Sequence, residues 1–243
     1  MEKRYGMNKL SRLIGIVFSP GRIFKGLDEN PDLLFGVFIP IFSWVLLGVS
    51  AILIGLRDPS LEIKLANLGV DQDPNLIKYW GPILLVSMGL VMSFLLFLIK
   101  AGLIHVLVPF MNGKTTYRKI VSVLGYSHVP FAIWSVFVLF YLLLNTHHYV
   151  AVDSSIALFF LPQKIHPALY ALYSRLDVFL FWAMFLAILG ISTVCRLGRI
   201  KATALILTLW IMGTLLTVGF NGYVKPLFKG ENESSAVNEQ EGN

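Results

Sequence analysis

The chain is poor in what soluble enzymes are built from. A single cysteine, Cys195, occurs in 243 residues, which excludes an intrachain disulfide and any zinc site made of several thiolates. Charged residues are only 14% of the chain, where a soluble surface of this size needs about 25%. Also missing are a phosphate-cradling Gly-rich loop, an intramembrane aspartyl or serine protease motif, a nucleic-acid-binding module and an internal repeat. What is present is apolar: 56% of the residues are hydrophobic, a further 20 are glycine, and the mean hydropathy is +0.72. One soluble core cannot hide that much apolar surface, so a soluble enzyme and a free nucleic-acid binder are excluded.

Long charge-free runs organise the rest. Residues 33–56 contain no charge, and at about 1.5 Å per residue they reach roughly 36 Å, more than the roughly 30 Å of hydrocarbon in a bilayer. A second run, 79–99, continues past Lys100 and must tilt or emerge. The third has its apolar heart at 129–144, preceded by a usable turn, IVSVLG. The fourth and fifth, 178–195 and 202–224, are joined by only RLGRIK and form an antiparallel hairpin. The expectation is an all-α polytopic membrane protein with five transmembrane helices. A cytoplasmic lead-in of 1–32 comes first, the five-span domain is 33–224, and the outer polar tail of 225–243 is too poor in apolar residues to pack. Residues 154–174 carry Pro162, Lys164 and Pro167, which leave runs too short to cross; they read as an interfacial or shallow re-entrant segment on the outer side. The first long apolar run starts only at residue 33, so no cleavable signal peptide is expected.

Charge sorts by side. With an inside amino terminus, the cytoplasmic segments 1–32, 109–128 and 196–201 hold twelve of the twenty Lys and Arg, and the outer segments seven. Acidic residues divide as four inside and ten outside. This is the asymmetry that the positive-inside rule requires, and it places the carboxyl terminus outside. Lys100 falls close to the inner boundary, where its stem can run along the apolar layer while the ammonium reaches the headgroups.

In the lead-in, Leu10, Leu13, Ile14, Val17 and Phe18 share one helical face that Pro20 and Gly21 end, and Ile23, Phe24 and Leu27 continue in a second short turn. Lys9, Arg12, Arg22 and Lys25 flank these faces. Two readings fit: an amphipathic helix lying on the anionic inner leaflet with Phe18 and Phe24 in the headgroup boundary, or a helix packed under the spans.

The stretch GKTTYRKIVSVLGYSHVP at 113–130, a Gly-containing polar loop leading into Gly125, Tyr126, Ser127 and Pro130, resembles the Yip family. These are five-span membrane proteins named for interaction with Ypt/Rab GTPases, and the likeness is to their short prokaryotic members. FSPGRIFKGLDENPDLLFG at 18–36 is similar to the prokaryotic members' lead-in to the first span. The resemblance implies a helical scaffold without known enzymatic chemistry, with an inside amino terminus and an outside carboxyl terminus; separately, the residues themselves lead to no expectation of a cofactor or metal. It implies a role assisting another membrane protein such as an exporter, membrane trafficking or homeostasis, or acting with a second copy of the chain; the bilayer is the other partner. The family's motif residues carry over as Gly113, Gly125, Tyr126, Ser127 and Pro130. Eukaryotic members have a longer cytosolic amino-terminal region, whereas 32 residues precede the first span here, which speaks against GTPase binding and for a prokaryotic plasma membrane.

Candidate chemistry is sparse. Ser127 beside His128 has the composition of an acyl-transfer couple, but helical neighbours point about 100° apart and no nucleophile elbow surrounds them. Packing is the expected role, with Gly125 permitting close helix approach and Tyr126 anchoring at the interface. His147, His148, His166 and Asp153 could bind zinc or copper, yet their spacing matches no established ligand pattern. Ser174 to Asp177 has the form of a capping box opening the fourth span, and Pro40 and Pro130 can kink their helices. The competing class is a small transporter or channel subunit. It has only Ser43, Ser87, Ser93, Thr208 and Thr214 at mid-depth, all able to bond their own helices.

Overall fold

In the computed structural model, residues 9–57, 74–145, 154–160 and 164–220 are described. The organising element is a long helix, α3, at Leu33–Arg57, preceded by two short ones, α1 at Lys9–Phe18 and α2 at Pro20–Glu29. The face that α3 buries consists mainly of small residues: Gly36, Ser43, Gly48 and Ser50, with Ile39 and Pro40. Its large side chains Leu34, Phe38, Phe42, Val45 and Val49 point outward. This inversion of the soluble pattern is what a bilayer favours, because lipid accepts large apolar groups and small residues let helices approach. The hydroxyls of Ser43 and Ser50 bond carbonyls of their own helix, at Ile39 and Leu46, so neither brings an unsatisfied group into the interface.

Against that face pack α4 at Pro74–Phe110, α5 at Tyr117–Ser127 and α6 at Val129–Leu144. The second expected span is one continuous helix, α4, of 37 residues. At about 1.5 Å per residue it is roughly 55 Å long, far beyond the hydrocarbon thickness. Phe97, Ala101, Ile104 and Val108, spaced by three or four, form its buried face. The third span is longer than its apolar heart suggested. Residues 117–127 are not part of a connecting segment but a helix, buried from Ile120 through Ser127, and the turn is confined to 111–116. Helices α5 and α6 meet at His128, two residues before Pro130. Proline cannot donate the N–H that Tyr126 O would accept in a continuous helix, and the His128 N–H turns back to Gly125 O at 3.0 Å. At the other end of α3, Arg57 Nη1 donates to Leu142 O at 2.9 Å, tying α3 to the end of α6.

The chain divides into two compact units, residues 1–152 with 182–203 and residues 153–181 with 204–243. The second contains a short 3-10 turn at Ile156–Phe159 and helix α7 at Pro167–Tyr173, in the stretch expected to be interfacial. There Ile156 N–H bonds Leu176 O at 3.0 Å and the rings of Phe160 and Tyr173 stack at 4.6 Å. Helices α8 at Val178–Val194 and α9 at Arg199–Gly219 complete the described chain. Among the described residues, four segments are long and apolar enough to cross a membrane: Leu33–Arg57, Trp80–Phe110, Tyr117–Leu144 and Arg199–Gly219. Helix α8 is apolar but has 17 residues, the lower end of the spanning range. The protein is thus an all-α polytopic membrane protein. Residues 221–243, which hold the end of the fifth expected span and the polar tail, lie outside the described residues.

Candidate functional site at the glycine crossing

The residues singled out at 113–130 converge where α3 crosses α5. Gly36 and Gly125 face each other across this crossing. A methyl group built on Gly36 would lie 2.7 Å from Ser122 Cα and 3.1 Å from Val121 O, and one on Gly125 would fall within the backbone of Gly36. Both obstacles are main chain, which cannot swing aside as a side chain can. Gly125 was expected to allow close approach; its partner Gly36 was not identified from the sequence.

Polar bonds fix the crossing on both sides. Asp32, ahead of α3, accepts the Phe35 N–H through Oδ1 at 3.2 Å, capping the first turn. Its Oδ2 accepts the Tyr126 hydroxyl at 3.2 Å and lies 3.9 Å from the Arg12 guanidinium. One carboxylate thereby joins α1, α3 and α5. Lys119 Nζ meets Asp28 Oδ1 at 2.5 Å, joining α5 to α2. Sequence reasoning assigned no role to Asp28, Asp32 or Lys119. The available signal was Asp32 three residues before Phe35 at the head of an apolar run, the spacing of a helix N-cap. Asp32→Ala should lower thermal stability in detergent more than Tyr126→Phe, by about 1–3 kcal/mol against about 1 kcal/mol, because it removes a cap and two side-chain partners at once. Equal effects would mean that the Tyr126 bond alone matters.

The remaining motif residues are used for structure. Ser127 Oγ donates to Val123 O at 2.8 Å, and His128 Nδ1 pairs with Leu124 O at 2.8 Å. Each therefore bonds its own helix, and they do not form a nucleophile and base pair. The His128 ring sits among Trp44, Phe97 and Phe131, with centroids 5.6 to 5.9 Å away. Pro130 is buried at the start of α6. Gly113 closes the turn after α4, its N–H bonding Val108 O at 3.0 Å; a Cβ there would meet Cys195 O at 2.9 Å.

The lead-in divides between its two readings. Phe18 is 81% exposed, and Arg22 and Lys25 are exposed beside it, as a membrane-surface helix requires. Phe24 is fully buried together with Ile23 and Leu27, and its ring lies 2.8 Å from where a Cβ on Gly190 would stand. The expectation that Phe24 sits in the headgroup boundary is therefore corrected: α2 is packed into the protein, because the apolar face of ten residues fits a groove as well as a bilayer.

Elsewhere, Asp177 itself caps α8, its Oδ1 accepting the Leu180 N–H at 2.7 Å, while Ser174 Oγ turns back to Ala171 O. The capping-box reading thus placed the cap three residues early. His166 Nδ1 accepts the Ala168 N–H at the head of α7. His147, His148 and Asp153 lie outside the described residues, and among the described ones no three His, Cys, Asp or Glu side chains form a metal-sized group. Ser87 Oγ bonds Ile83 O as expected, but the Thr214 hydroxyl finds no partner among the described residues.

No curated protein and no solved structure matches the chain. The family model described as the Yip1 domain matches residues 14–220, a stretch that includes α2 through α9, both glycines of the crossing and all the motif residues named above. With more than four-fifths of its length matched, the chain belongs to the Yip1 domain family.

Proposed function

We propose that this protein of the Yip type is a non-enzymatic scaffold or accessory subunit that assists another membrane system, such as an exporter. The observation that carries the reading is the glycine crossing. The motif that could have held chemistry is instead a close main-chain contact, with the Ser127 and His128 polar groups bonded to their own helix. Such an arrangement builds a rigid surface for a partner. Affinity capture of the full chain in mild detergent should return a discrete membrane protein in stoichiometric amount. Solute flux through vesicles containing the purified chain alone would instead establish the alternative, a small transporter or channel subunit, which the buried Thr214 hydroxyl, without a partner among the described residues, favours.

The same reading takes all five apolar segments as spans, in a prokaryotic plasma membrane with the amino terminus cytoplasmic and the carboxyl terminus outside, supported by the excess of Lys and Arg on one set of connections. Cys195 is a poor reporter of sidedness because its side chain is buried. Gly198 is exposed, with nothing within 4 Å of an added Cβ. In a Cys195→Ala background, Gly198→Cys should resist a membrane-impermeant thiol reagent in intact cells and react after permeabilisation, while a carboxyl-terminal tag is accessible from outside. Labelling of Gly198→Cys in intact cells reverses the orientation.

A further inference from the structure

The turn after α4 and the turn between α8 and α9 are bound together. Lys114 N–H donates to Cys195 O at 3.0 Å, and Lys201 Nζ donates to Met111 O at 3.0 Å. Each turn also carries a non-glycine residue in the left-handed region, Asn112 at φ 62° and Arg196 at φ 54°, conformations that cost energy and are kept only where the surroundings impose them. Between the turns lies a cavity of about 580 Å³ lined by Met111, Asn112 and residues 196–201, within the roughly 300–1,000 Å³ of small-molecule sites. Its charged lining is wholly cationic: Arg196, Arg199 and Lys201, with Lys114 exposed beside it. Asp28, on α2, is held by Lys119. At the same turns Phe110 is 81% and Ile200 87% exposed.

Exposed cations around a cavity attract an anion, and large exposed apolar side chains beside them favour an apolar phase. A free phosphate or an acidic soluble segment satisfies the first demand and leaves Phe110 and Ile200 in water. A lipid satisfies both. We infer that this cavity holds the phosphate-bearing headgroup of an anionic phospholipid, with Arg196 and Arg199 on the phosphate and Phe110 and Ile200 against the acyl chains. The turns are preassembled by their mutual bonds, so the guanidiniums are gathered before the lipid arrives.

The test uses the full chain in neutral detergent, with native mass spectrometry counting retained phosphatidylglycerol or phosphatidylcholine. The wild type should retain phosphatidylglycerol selectively. Arg196→Gln with Arg199→Gln should weaken it about tenfold or more, since each basic residue near an anionic surface contributes about fivefold. The control Lys164→Gln, an exposed cation outside this cavity, should change it less than twofold. Phe110→Ser with Ile200→Ser should weaken retention as well. All four positions are exposed, and an unchanged melting temperature verifies folding; if the arginine pair misfolds, Lys114→Gln takes its place with a smaller loss expected. Equal retention of the two lipids, equal losses in control and pocket variants, or displacement of phosphatidylglycerol by millimolar inorganic phosphate or by an acidic peptide would each overturn the assignment.

Discussion

Gly125→Leu is expected to abolish most of the folded, membrane-resident protein, while Gly89→Leu on α4 leaves it unchanged. The difference lies in what the new side chain meets. At Gly89 there is nothing within 4 Å, whereas at Gly125 the nearest atoms are the carbonyl, carbonyl carbon and Cα of Gly36. Overpacking a tolerant core costs about 1–3 kcal/mol because side chains shift to other rotamers. Here the obstacle is backbone on both sides, so α3 and α5 must separate, and the Tyr126 to Asp32 bond breaks with them. Gly36→Leu should reproduce the loss. Ser127→Ala and His128→Phe should keep abundance and partner capture close to normal, since each removes one bond to the residue's own helix and retains the volume of the site. Membrane abundance, partner co-purification and cellular phenotype measured together decide the outcome. Loss of phenotype in Ser127→Ala or His128→Phe at normal abundance would mean that the hydroxyl or imidazole does chemistry, and the scaffold reading would fail.

How much of this was legible in the sequence depends on the kind of signal. Charge-free runs located α3, α8 and α9 to within a few residues, because the bilayer imposes a length that composition alone satisfies. The extent of α5 was missed: Tyr117–Ser127 carries Arg118 and Lys119 and is too polar at its start to read as a span, although Ile120 through Ser127 is buried. Gly125 was identified and Gly36 was not, since within an almost wholly apolar helix no periodicity separates the face that meets protein from the face that meets lipid. Asp32 and Asp28 went unread for a related reason. A run of polar residues ahead of a span looks like a solvated loop, and only the fold shows that Asp32 reaches both Arg12 and Tyr126. The lead-in is the clearest limit, because an amphipathic face states that something apolar covers it and not what that something is.

That ambiguity predicts a split between two phenylalanines six residues apart. Phe24→Ala should destabilise the protein by about 3–5 kcal/mol, the usual range for removing a fully enclosed aromatic ring, whereas Phe18→Ala, at 81% exposure, should stay within about 0.5 kcal/mol. The loss at Phe24 has a named counterpart. A Cβ on Gly190 would stand 2.8 Å from Phe24 Cε1 and 2.9 Å from Cδ1, and closer still to Val123 Cγ1. Gly190→Ala alone therefore forces the ring and the valine outward and should be destabilising. Once Phe24 is alanine, part of that clash is gone and the new methyl enters space the ring has left. The double variant Phe24→Ala with Gly190→Ala should then be more stable than the sum of the single effects, a coupling that contacting residues show and distant ones do not. Thermal or denaturant unfolding of the four proteins in one detergent measures it. Strict additivity, or a larger effect at Phe18 than at Phe24, would return α2 to the membrane surface.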